Sequence, residues 1–282
     1  INVFSSGRIM ASKIGCLGVC LCIMIMGMNV SISETSLDYP DGFSTSQEDG
    51  GNTILAIDDS IHSEAVNAMD LDSSGNLIIG GTACARNSTQ IAIPFSCTMS
   101  FEGGSVSTDD YAPAFISVID SNGRRVSTDF FSSGFGDRVD AVLSLSNGDV
   151  LVSGGFCWLS NDCYLQGGGM LLEAPGNNMD AFVFRMSSDG NVIWSRAFWS
   201  AGNDILHSLD EGPNGEIYLL GSFCMDITSS CRLNSGTGNS PMSKGGADIF
   251  FAKLSSDGGI NWIKTLGSST NDHDMYGRYW AL

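Results

Sequence analysis

Four acidic residues recur at one position of an internal period: Glu64, Asp137, Asp204 and Asp272, the first three each at the same distance ahead of a glycine (Gly75, Gly148, Gly215). Carboxylates repeated in this way invite Ca²⁺, a hard cation that gathers about six to eight oxygens. The same position also suits a carboxylate that accepts backbone N–H bonds in a tight turn entering a strand. A calcium loop supplies several acids close together, and only Asn271-Asp272-His273-Asp274 approaches that density. The turn reading is therefore preferred and no metal is assigned, with calcium at Glu64, Asp137, Asp204 and Asp272 left open.

The cysteines are the second set with a chemistry. Residues 14–30 (IGCLGVCLCIMIMGMNV) form an apolar run behind Met10, flanked by Arg8 and Lys13 and followed by Ser31-Ile32-Ser33. That order of basic, apolar and small residues is the order of an export signal, and the run is short for a spanning helix. Cleavage after Ser33 is expected, with a retained membrane anchor as the alternative; a lipid-modified Cys20 is disfavoured by Val19 before it. Residues 1–9 are read as lying upstream of the true start. Removing residues 1–33 takes away Cys16, Cys20 and Cys22, leaving Cys84, Cys97, Cys157, Cys163, Cys224 and Cys231. An even set in an exported chain reads as a disulfide framework. Zinc would want ligands about two residues apart, and none of these gaps supplies that.

Other chemistries lack a constellation. His62, His207 and His273 share no repeat position, no serine or cysteine sits in a nucleophile elbow, and there is no phosphate loop. No catalytic residue and no cofactor is assigned. Thirteen basic residues against 31 acidic ones give a net charge of −18, which becomes −20 once Arg8 and Lys13 leave with the signal. Such a surface repels polyanions, which excludes nucleic acid and disfavours docking on anionic lipid. Asn87-Ser88-Thr89 is a glycosylation sequon.

The elements that would carry these residues follow from self-similarity. SSGNLIIGGTAC (73–84), LSNGDVLVSGGFC (145–157) and GPNGEIYLLGSFC (212–224) align, as do PAFISVIDSNG (113–123), DAFVFRMSSDG (180–190) and DIFFAKLSSDG (248–258). Gly75, Gly148 and Gly215 recur, as do Phe115, Phe182 and Phe250, with a period of about 67–73 residues. Asn122-Gly123, Asp189-Gly190 and Asp257-Gly258 between short apolar runs predict two-residue hairpin turns. Phe182, Phe184 and Met186 alternate with Val183 and Arg185, the period of a strand buried on one face or both. The first unit predicts strands near 66–72, 76–83, 114–120 and 125–131. A single four-stranded sheet leaves apolar faces bare, so neighbouring units must stack on it. The expected fold is all-β: a repeat architecture of four-stranded antiparallel sheets, a partial β-propeller with inserted loops. The expected organisation is 1–33 upstream residues and signal, 34–63 linker or first strand region, then repeats at about 64–136, 137–203 and 204–271 and a truncated fourth unit at 272–282. Three units and part of a fourth would close poorly, so a fragment of a longer product is expected.

DAFVFRMSSDGNVIWSRAF together with GEIYLLGSF resembles the SBBP β-propeller repeat, over residues 64–282 and most strongly in the second and third units. The first unit departs from the pattern, with Pro113 where Asp180 and Asp248 stand and Ser127 where Trp194 and Trp262 stand. The resemblance implies an architecture used by secreted and surface proteins, more than an activity. SSDGNVIW and SSDGGINW miss the Asp-box of sialidase-like propellers, because Asp189-Gly190 and Asp257-Gly258 are adjacent where that motif places a residue between Asp and Gly. The same segments are similar to the tryptophan repeats of quinoprotein dehydrogenase propellers, from which no cofactor-binding residue carries over. Trp194 and Trp262 are read as packing between units.

Within each unit the first cysteine ends the strand carrying Gly-x-x-Cys, and the second stands at a near-constant distance before Phe115, Phe182 or Phe250. Equivalent positions predict one local bridge per unit: Cys84 with Cys97, Cys157 with Cys163, Cys224 with Cys231. The glycine-rich stretches QGGGMLLEAPGNN and NSGTGNSPMSKGG are expected to be surface loops or an extra hairpin. Variable loops on a rigid frame are where recognition is placed. The expected function is a non-catalytic secreted or cell-surface module whose partner is an unknown protein or glycan. The alternative is the propeller domain of a secreted hydrolase or lyase with its catalytic part elsewhere.

Overall fold

A computed structural model describes residues 24–25, 28–29, 63–85, 97–158, 163–174, 178–238 and 240–272. The signal run, its cleavage site, the linker up to residue 62, His62, the sequon and the tail from His273 onward lie largely or wholly outside the described residues. Within the apolar run, β1 (Met24–Ile25) and β2 (Met28–Asn29) pair antiparallel.

Three four-stranded antiparallel sheets account for the rest of the frame. The first contains β3 (Ser63–Leu71), β4 (Leu77–Ala85), β7 (Ala114–Ile119) and β8 (Arg125–Phe131); between its second and third strands β5 (Cys97–Phe101) and β6 (Gly104–Thr108) form a separate hairpin. The second contains β9 (Arg138–Ser144), β10 (Val150–Phe156), β13 (Asp180–Met186) and β14 (Val192–Phe198), with β11 (Cys163–Gly167) and β12 (Met170–Ala174) as its inserted hairpin. The third contains β15 (Asn203–Glu211), β16 (Ile217–Met225), β17 (Asp248–Leu254) and β18 (Ile260–Leu266). The strands expected in the first unit match β3, β4, β7 and β8 to within a few residues.

The turns differ from expectation by one residue. In all six hairpins that close the sheets the glycine N–H donates to the carbonyl three residues earlier, as from Gly190 to Ser187, and the next pair is Ser187 with Asn191. The loops therefore hold three residues. The glycine takes the left-handed position that follows a type I turn, at φ 85° in Gly190 and φ 82° in Gly258. The Asp-Gly signal is common to both turn lengths, so sequence alone does not separate them.

The sheets stack face to face. Strand β9 lies against β3, β4 and β7 of the first sheet, and β15 lies against β9, β10 and β13 of the second. Between the first two sheets, Ile116 and Phe131 meet Val139, Val152, Phe182 and Phe184, all buried. Between the second and third, Leu151, Val183 and Phe198 meet Leu206, Leu219 and Phe250. Alternation along β13 thus sends Phe182, Phe184 and Met186 to one core and Ala181 and Val183 to the other. Each fully buried large apolar side chain contributes about 1.5–3 kcal/mol of transfer free energy, so one strand supports two interfaces.

The inserts fasten one unit to the one before it. Ser132, just past β8, exchanges both backbone hydrogen bonds with Gln166 at 2.9 Å, and Trp199, just past β14, does so with Asn234 at 3.1 and 2.7 Å. Trp194 joins units from the other side. Its Nε1 donates to the Ser256 carbonyl at 3.1 Å and its ring lies over Gly258, so it packs across two units. Trp262 meets Tyr218 edge-on within its own sheet, at 6.5 Å between ring centroids.

Candidate functional site

The repeated acids open the first strand of each sheet, at the end where the inserts also begin. Asp137 Oδ1 accepts from the Cys157 N–H at 3.1 Å and the Ser133 hydroxyl at 2.5 Å, while Oδ2 accepts from the Ser133 N–H at 2.6 Å. Asp204 Oδ1 repeats the pattern with the Cys224 N–H at 3.0 Å and the Ser200 hydroxyl at 2.7 Å. Asp272 accepts from the Ser268 N–H. The backbone N–H groups of Asp137, Asp204 and Asp272 in turn donate to the carbonyls of Ala112, Met179 and Ala247 at 2.8, 2.7 and 2.7 Å. Asp137, Asp204 and Asp272 are thus clamps at the turns that enter their units, and Asp137 and Asp204 tie that turn to the close of the second strand.

The clamp explains an unusual backbone. Cys84, Cys157 and Cys224 sit at φ 60°, 68° and 58°, the left-handed region that side-chain-bearing residues avoid. In the second and third units the carboxylate fixes the cysteine N–H. In every unit a disulfide fixes the side chain: Cys84 is joined to Cys97, Cys157 to Cys163 and Cys224 to Cys231, with Cα separations of 6.0, 6.1 and 5.9 Å. These are the pairs that the repeat spacing predicts, one in each unit. Glu64 lies with a carboxylate oxygen within 4.8 Å of both sulfurs of its own unit's pair. With both sulfurs spent in a disulfide, that trio holds no metal.

Enclosure alters the acidity of these groups. Burial pushes Asp137 up to about 6 against the pull of its Ser133 and Cys157 hydrogen bonds. Asp204 is held well above the usual carboxylate range by burial first, with the nearby charge of Asp180 adding to it and the Ser200 hydrogen bond opposing. Asp180, the first residue of β13, is fully buried and is pushed up to about 7 by burial. The sequence presents Asp180 and Asp248 as a family feature and does not bring Asp180 to Asp204. A signal was present in the spacing, since Asp180 and Asp248 stand at one and the same distance ahead of the next unit's clamp, Asp204 and Asp272. His207, to which the sequence gives no role, shares a hydrogen bond of 3.0 Å between its Nε2 and the Ser222 hydroxyl within the third sheet.

A second group lies at the same end, in the seam between the first two sheets. Trp158 is 56% exposed, Phe135 49% and Tyr111 37%. The Trp158 N–H donates to the Gly136 carbonyl at 3.4 Å, next to Phe135, and the Asp137 N–H donates to Ala112, next to Tyr111. Gly134 and Gly136, at φ 81° and 84°, flank Phe135. At the corresponding positions of the next seam stand Met225, Gly202 and Asn178. The frame therefore does not require the aromatics, and a self-alignment marks them as departures from the repeat.

Fold and site together define an all-β, disulfide-stapled protein of repeated four-stranded antiparallel sheets. Neither protein-family models nor curated proteins give a match to the chain. Among the described residues no helix is long and apolar enough to cross a membrane.

Proposed function

We propose that the chain is a non-catalytic extracytoplasmic β-propeller module of the SBBP type that binds an uncharged glycan through the loops at one end of its sheets. The observation that carries the binding reading is the trio Tyr111, Phe135 and Trp158, exposed in one seam at positions where the other seam has Asn178, Gly202 and Met225. Phe135 and Trp158, each about half exposed, forgo burial free energy, and an apolar body with a polar rim suits a ligand with both faces. Asp109 and Asp110 beside Tyr111, with the net charge of −18, oppose an anionic ligand and offer acceptors to hydroxyl groups. The propeller reading is supported by stacking of the first strand of each unit on the sheet before it, and by Leu266. That residue is 57% exposed where Phe131 and Phe198, at the same position of the other two sheets, are fully buried against the next sheet. Residence outside the cytoplasm is supported by the three intramolecular disulfides. Asp137 and Asp204 are enclosed and cannot touch a substrate, which supports binding over catalysis.

The experiment is a binding screen of the wild-type chain and a Phe135→Ala, Trp158→Ala double variant against neutral and acidic glycans. Expected is binding to a neutral glycan, weakened at least tenfold in the variant with an unchanged melting temperature. Binding confined to acidic glycans, or equal binding by the variant, would refute the reading.

A further inference from the structure

The seams provide an internal comparison. Where Pro113 removes the second acid, the clamp Asp137 has hydrogen bonds on both oxygens, from Ser133 and Cys157. Where Asp180 supplies it, both oxygens of Asp180 stand buried and without a hydrogen-bond partner, and Oδ2 of Asp204 is buried with no close partner of its own, the Ser200 N–H drawing on that carboxylate only weakly. Both side chains are fully buried. They belong to one cluster, because Met179, next to Asp180, accepts the Asp204 N–H at 2.7 Å and donates to Asn203 Oδ1 at 2.8 Å.

Two enclosed carboxylates with open oxygens are costly unless something positive joins them. The ion pairs among the described residues join Arg138 to Asp140, Arg185 to Asp149 and Lys253 to Glu216, and none reaches this cluster. We propose that Asp180 and Asp204 form a Ca²⁺ site that ties the second sheet to the third. The donors are oxygen throughout, which selects a hard cation: the Ser200 hydroxyl adjoins the Asp204 carboxylate, the Gly202 carbonyl adjoins that hydroxyl, and the nearby cysteines are closed as disulfides. Calcium tolerates an irregular oxygen shell, whereas Mg²⁺ requires an octahedron and keeps its waters. Unlike the ring of carboxylates considered from sequence, the site needs two acids of different repeat positions, and Pro113 excludes it from the first seam. The equivalent acids Asp248 and Asp272 leave one buried oxygen open, Asp248 Oδ1, and form a weaker version.

The test uses the full chain with its disulfides intact, stripped with a chelator and titrated at pH 7 with CaCl₂ or MgCl₂, by calorimetry and thermal melting. Expected is saturable binding of Ca²⁺ over Mg²⁺, with melting raised by about 5–10 °C at a hundredfold excess over Kd and reversed by chelator. Asp180→Asn should lose the main binding event and most of the shift, whereas Asp248→Asn should keep both. If Asp180→Asn fails to fold, the wild-type titration decides. No heat and no shift with Ca²⁺, together with melting that rises as pH falls, would overturn the proposal in favour of a shared proton. Loss of glycan binding leaves this result unaffected, because the aromatic trio lies in the other seam.

Discussion

Replacing Asp137 tests whether the repeated acid is a clamp. Alanine in its place strands the Cys157 N–H, which is buried, and the Ser133 N–H and hydroxyl, which are partly buried. A buried donor left unsatisfied costs about 1–3 kcal/mol, so at pH 4 Asp137→Ala should lose about 3–5 kcal/mol, the less buried pair counting for less. Asparagine resembles the protonated acid in shape and charge and keeps one acceptor oxygen, so at pH 4 it should lose about 1–2 kcal/mol. The pH dependence then separates the charge from the hydrogen bonds. Burial raises Asp137 to about 6 from the ordinary 3.8, so between those values the folded state holds a proton that the unfolded state has released. Stability from this group is therefore full below about pH 4, falls as pH rises to about 6 and is constant above it. The total lost is about 3 kcal/mol, since each tenfold change in proton affinity is worth about 1.36 kcal/mol. Urea unfolding of wild type and Asp137→Asn at pH 4, 5, 6 and 7 reads the difference directly. The wild type should start ahead, lose ground to the variant across that window and be level with it or behind by pH 7. A difference independent of pH would refute the raised pKa, and an Asp137→Ala variant as stable as wild type at pH 4 would refute the clamp.

Two further outcomes follow from the frame. Replacing Cys157 and Cys163 together by alanine opens a short loop and should cost about 2–3 kcal/mol in denaturant unfolding, while non-reducing peptide mapping should recover only within-unit pairs; a peptide linking two units would refute the repeat alignment. At Gly154 an added Cβ would lie 2.0 Å from the Arg138 carbonyl oxygen, at the irregularity where β9 and β10 change register, so Gly154→Ala should destabilise by several kcal/mol. Gly148→Ala is the comparison: it meets no atom within 4 Å and should show only the smaller cost of its left-handed turn. Equal losses at the two positions would refute the steric argument.

Much of the frame is local and was therefore legible. Alternation in DAFVFRM and DIFFAKL, glycine at each turn and the recurring period are properties of neighbouring residues, and they specified strands and their antiparallel order. The cysteine pairs were legible for the same reason, since each bridge closes within one unit at a separation of 13, 6 or 7 residues. Turn length was not, because a left-handed glycine serves two- and three-residue loops alike.

The candidate sites needed the tertiary structure because their members are neighbours only across a seam. Asp180 and Asp204 occupy different repeat positions in adjoining units, and what makes them chemically notable is that Asp180 has no partner for either oxygen once water is excluded. Tyr111, Phe135 and Trp158 lie on three separate loops, and aromatic residues in sequence read equally well as core. Sequence by itself determined the repeated strand, turn and bridge, because propensity and short loop closure act along the chain. Stacking of the sheets decided which acids lost water and which aromatics kept it, because desolvation depends on neighbours that sequence distance does not record.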